Sequence, residues 1–116
     1  ITSSMKDALT LIANGYNAIA PQSESICISK ELIDNLKTRF KVYVCFDNDN
    51  AGRIANLKYA DKFGLEILDL SKFPTNLKDV ADIMHYCTMN NSTMTEARQQ
   101  FKTFFNELTA PTTKTT

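Results

Sequence analysis

The chain has 116 residues, 43% of them hydrophobic, with 13 basic and 13 acidic side chains and a formal net charge of zero. That length suits one domain with a real core, and the charge balance argues against strong sequence-independent nucleic-acid binding by these residues alone. No apolar run approaches membrane-spanning length and no stretch reads as a signal peptide, so no membrane partner and a cytoplasmic setting are expected.

The elements follow in chain order. Ile1-Thr2 reads as the end of a strand, and without an initiator Met the chain is expected to be a piece of a longer protein. Ser4 is placed to cap a helix with Asp7 as its third residue, and Ala8, Leu9, Leu11 and Ile12 supply its apolar positions. Gly15 ends it. Asn17 to Ala20 reads as a short strand, stopped by Pro21 and followed by a loop through Ser25. Ser29 can cap a second helix that buries Leu32, Ile33 and Leu36. Val42 to Phe46, β-branched and aromatic, predicts the central strand. A third helix starts near Asn50, with Ile54, Leu57 and Ala60 on one face and Gly64 at its end. Leu65 to Leu68 reads as a strand. Val80, Ile83, Met84 and Cys87 define a fourth helix, and Thr93-x-x-Glu96 opens a fifth with Ala97, Phe101, Phe104, Phe105 and Leu108 on one stripe. Thr109 to Thr116 reads as a flexible tail.

Strands alternating with helices predict an α/β fold: a short, mostly parallel four-stranded sheet flanked by helices. The expected division is a domain over 1–89, a C-terminal helix over 90–108 and the tail. Ligands of such sheets gather beyond the carboxyl ends of the strands. That rule brings Asp47, Asp49, Asp79, Glu24 and Asp7 toward one rim.

The chemistry concentrates at Phe46-Asp47-Asn48-Asp49-Asn50-Ala51-Gly52-Arg53. A helix cap would explain one of these acids, not two flanking an Asn at a strand end. Crowded carboxylates resist ionisation unless a cation relieves them, and oxygen ligands suit Mg²⁺ or Mn²⁺. An EF-hand is excluded because Lys58 stands where the loop needs a bidentate Glu. Asp79 and Asp82 lie in a first helical turn, where acids also serve the helix dipole, and Asp7 and Glu24 have equally plain readings as cap and solvated charge. The three cysteines are odd in number with no CxxC, and His85 is the only histidine, so zinc and Ser-His-Asp chemistry lack their parts. No Walker A or GxGxxG loop is present.

Together these motifs resemble the Toprim domain of bacterial and phage DNA primases, topoisomerases and some nucleases and recombination proteins, over about residues 1 to 86. The Rossmann-like Toprim fold is implied by Asp47-Asn48-Asp49-Asn50-Ala51-Gly52, by Lys6-Asp7-Ala8-Leu9 with Gly15-Tyr16-Asn17-Ala18, and by Lys78-Asp79-Val80-Ala81-Asp82. The Ala-Gly pair favours the primase type. The resemblance implies Mg²⁺-dependent nucleotidyl transfer in primer synthesis, on nucleotides and a single-stranded DNA template, with a helicase as a further partner. It assigns Asp47, Asp49 and Asp79 to metal and Lys6, Arg53 and Lys78 to substrate, with Asp7 and Asp82 in support. One departure stands out: Ser3-Ser4 occupies the place of the family's Glu-Gly. Glu24, in Pro21-Gln22-Ser23-Glu24, is expected to supply the missing catalytic carboxylate beside Asp47 and Asp49.

Overall fold

Short polar side chains set where each helix begins. The computed structural model describes residues 1–22 and 27–110, with helices α1 (Met5–Ala13), α2 (Lys30–Lys37), α3 (Asn50–Phe63), α4 (Val80–Met89) and α5 (Met94–Thr109). Ser4, Ser29, Asp49, Asp79 and Thr93 each accept the backbone N–H three residues on. Each such cap stabilises its helix by about 1 kcal/mol. At α5, Glu96 also accepts from the Thr93 N–H, completing the reciprocal cap expected from sequence. Gly64 closes α3 in the left-handed conformation, at φ 67°.

The sheet falls short of the expected four strands. Among the described residues there are two, β1 (Tyr43–Val44) and β2 (Glu66–Ile67), paired in parallel with Tyr43 opposite Glu66 and Val44 opposite Ile67. Thr2 adds an isolated parallel bridge to Cys45. Cys45 N donates to Ile1 O at 2.7 Å, Leu68 N to Val44 O at 2.8 Å and Thr2 N to Ile19 O at 3.0 Å. The four segments therefore lie side by side in the order 19, 2, 43–45, 66–68. Two of the four, those at Thr2 and Ile19, are too short to count as strands. The segment around Ile19 shares a single bond with Thr2, and Asp69 ends the fourth segment by capping a 3₁₀ turn, Leu70–Lys72.

Alternation along the central segment divides the core in two. Val44 faces α2 and α3 with Ile28, Ile33, Phe46, Tyr59, Phe63 and Leu65. Cys45 faces the other layer, where α1, α4 and α5 contribute Leu11, Val80, Ile83, Cys87, Phe101 and Phe105. Burial pushes the Cys45 thiol up to about 12, which leaves it an inert core residue.

The third helix turns a different face inward than its apolar residues suggest. Ile54 and Leu57 are 61% and 64% exposed, and Leu32 of α2 is also exposed. The buried residues of α3 are Gly52, Asn56, Tyr59 and Phe63. Asn56 accepts the Phe46 N–H at 2.9 Å, and the Tyr59 hydroxyl accepts the Ile28 N–H at 3.1 Å. The backbone N–H groups just past the central segment and just ahead of α2 need those polar partners, and their demand fixes the rotation of the helix. No helix among the described residues is long and apolar enough to cross a membrane.

Candidate metal centre

Three elements deliver acids to the carboxyl end of the sheet. Asp47 follows the central strand segment, Asp7 sits one turn into α1, and Asp79 caps α4. Ligand oxygens of Asp7, Asp47 and Asp79 all lie within 4.8 Å of one another. Asp7 is 1% exposed and Asp79 9%. Among the described residues, the nearest cation to the group is Lys6, whose Nζ is 3.9 Å from Asp79 Oδ2.

Each of the three carboxylates is anchored by one oxygen. Asp47 Oδ1 accepts from the Ser3 hydroxyl at 2.7 Å, and that hydroxyl accepts the Asp47 N–H at 2.9 Å. Asp7 Oδ1 accepts the Ala81 N–H of α4 at 3.0 Å. Asp79 Oδ1 accepts the Asp82 N–H at 2.8 Å. Among the described residues no hydrogen bond reaches the second oxygen of any of them. Three fixed carboxylates, each with an oxygen that takes no hydrogen bond, fit a hard divalent cation, with Lys6 Nζ standing 3.9 Å from that oxygen of Asp79.

Electrostatics point the same way. Burial raises the Asp7 carboxyl above the ordinary carboxylate range; the Ala81 N–H opposes this and the Asp79 and Asp47 charges add to it. Asp47 is likewise raised by burial, eased by the Ser3 hydroxyl and raised further by Asp79 and Asp49. A cation between the three would reverse both shifts.

The other expected site residues are arranged around this group. Asp49 lies outside the three-acid group: its Oδ1 accepts the Gly52 N–H at 2.7 Å, and its Oδ2 is 4.0 Å from Lys78 Nζ. Lys6 and Lys78 have exposed side chains (69% and 62%), Lys6 beside Asp79 and Lys78 beside Asp49. Arg53 is exposed and donates to Asn48 Oδ1 at 3.2 Å. Asp82 is half-buried in the first turn of α4 and outside the group. Glu24 lies outside the described residues.

Asp7, expected only as support, is the most buried of the three acids. Its carboxylate crosses to α4 rather than completing the Ser4 cap, although Ser4 Oγ accepts the Asp7 N–H at 3.2 Å. Three further residues shape the site and carry weaker signals in the sequence. Ser3 marks a departure from a family pattern, but its double bond to Asp47 depends on the fold. Asn48 reads only as the spacer of an acidic pair. Gly52 is needed by close approach: a Cβ there would collide with the Asp47 carbonyl and lie 2.8 Å from the Asp47 nitrogen.

With this geometry in place, the relationship to known proteins can be stated. Residues 1–84 match the family model described as Toprim-like, ending within α4 and leaving α5 outside. No curated protein and no solved structure matches the chain significantly. Toprim domains bind divalent metals in nucleic-acid processing, and the three-acid rim accords with that. The chain belongs to the Toprim-like family.

Proposed function

We propose that this chain is the metal-binding core of a primer-synthesising nucleotidyltransferase of the DNA primase or primase-helicase type. The observation that carries the proposal is the convergence of Asp7, Asp47 and Asp79 within 4.8 Å, each with one anchored oxygen and one that takes no hydrogen bond among the described residues. A bound Mg²⁺ or Mn²⁺ supplies neutralisation of nucleotide phosphates and acidifies an attacking hydroxyl. Asp47, Asp79 and Asp7 would hold the ion, and Asp49 lies outside their group beside Lys78. Lys6, Lys78 and Arg53 contact phosphate, which positions the nucleotide. Glu24 supplies the carboxylate that Ser3 does not. The Ala51-Gly52 pair after the acids supports the primase type over the topoisomerase and nuclease types.

The neutral net charge supports a template groove completed by other parts of a longer protein. The direct test is therefore nucleotide binding rather than primer synthesis by these residues alone. A nucleoside triphosphate should bind saturably only with Mg²⁺ or Mn²⁺ present, and Asp47→Asn should abolish the binding. Nicking of supercoiled DNA without nucleotide would instead favour a Toprim nuclease or topoisomerase module. A second reading rests on Ser3 in place of the family Glu: a non-catalytic nucleic-acid-processing domain whose acids serve structure. Metal-independent nucleotide binding, or none, would favour it.

A further inference from the structure

Asn48 spends its side-chain amide N–H groups and its backbone N–H on joining two loops of the rim. Its Nδ2 donates to Leu77 O at 3.1 Å and to Asn76 Oδ1 at 3.0 Å, and its backbone N–H donates to Lys78 O. Its Oδ1 accepts from Arg53 Nη1 at 3.2 Å. Asn48 follows Asp47 directly, and the segment it grips leads directly into Asp79. From the far side, Asp7 grips the same helix start through the Ala81 N–H. We infer that Asn48 is a positioning residue for the cation site, clasping the 76–78 segment so that the Asp79 carboxylate stays beside Asp47 and Asp7. The inference rests on the reading of the acidic rim as a cation site. Partners that orient metal ligands are commonly worth 10- to 100-fold in metal affinity.

Asn48→Asp separates clasping from charge, because the two predict opposite signs. The variant keeps the size of the side chain and loses both Nδ2 donors. It turns a carboxylate toward the Leu77 carbonyl and Asn76 Oδ1, which breaks the side-chain contacts of the clasp and leaves the backbone bond to Lys78 O. It also adds a negative charge near the cation, which by itself would tighten binding. Mn²⁺ titration followed by electron paramagnetic resonance reads the outcome on the 116-residue chain. Wild type should bind Mn²⁺ saturably, and Asn48→Asp should bind it about tenfold more weakly. Equal or tighter binding by Asn48→Asp overturns the clasp while leaving the cation site standing. Absence of binding by wild type overturns the cation site itself. Should Asn48→Asp lose its near-ultraviolet circular dichroism, Asn76→Ala decides, since Asn76 is exposed and contributes one contact. A loss of about two- to threefold is expected there, and unchanged affinity overturns the inference.

Discussion

At the rim, Asp7, Asp47 and Asp79 crowd three carboxylates within 4.8 Å. Along α5, by contrast, Phe101, Phe104 and Phe105 and the neighbouring Phe73 meet edge to face or tilted, with centroids 4.8–5.0 Å apart, and Phe101 is fully buried. The aromatic layer gains stability from burial and ring geometry. The rim loses it, because buried like charges repel and are poorly solvated. The fold is thus held from the α4–α5 side and strained on the side where the cation is proposed to bind. The matched family region stops at residue 84, so the stabilising layer includes a helix beyond it.

This contrast can be broken or sharpened by substitution. Phe101→Ala should cost about 3–5 kcal/mol in urea unfolding, while Mn²⁺ affinity of the folded protein stays within about twofold. A large change in affinity would show that the two regions are not independent. Gly52→Ala should affect both: its Cβ must displace the Asp47 backbone, at a cost of about 1–3 kcal/mol and with clear loss of metal affinity. Thr93→Ala removes the α5 cap and should cost about 1 kcal/mol, with no effect on metal binding by calorimetry.

Asp7→Asn should act in the opposite direction. Burial and neighbouring acids raise the Asp7 and Asp47 pKa values in the folded protein above the ordinary 3.8. The folded state then holds protons that the unfolded state has released. Their contribution to stability falls as pH rises from about 3.8 through the raised values, and the penalty persists above them. Asp7→Asn removes one such penalty and can still accept the Ala81 N–H. The metal-free variant should therefore be more stable than wild type at pH 7, and its unfolding midpoint should depend less on pH than that of wild type. A loss of stability at pH 7 would mean that the rim is not strained.

Much of this was legible in the sequence, and what was not has physical causes. The caps at Ser4, Ser29 and Thr93 are local chemistry, readable from residue type and spacing. That the four segments lie side by side follows from their alternation with helices, although their order, 19, 2, 43–45, 66–68, does not. Nor do their lengths, because each depends on how many bonds its neighbours return. The inward face of α3 was hidden because Asn56 and Gly52 face inward for reasons of hydrogen bonding and close approach, which hydrophobic periodicity does not register. Asp47 and Asp79 were legible as site residues from their place at strand and helix ends. Asp7 looked like half of a local cap, and only the packing of α1 on α4 carries its carboxylate to Ala81. Asp49 illustrates the reverse: the sequence pairs it with Asp47, and the structure leaves it outside the three-acid group, capping α3 beside Lys78.

The central claim is that Asp7, Asp47 and Asp79 together hold one divalent cation. Isothermal titration of Mn²⁺ into wild type, Asp7→Asn, Asp47→Asn and Asp79→Asn at pH 7 tests it most directly. The account predicts one saturable site in wild type, lost or severely weakened in all three variants. Binding that survives in any of the three, or no saturable binding in wild type, would contradict it.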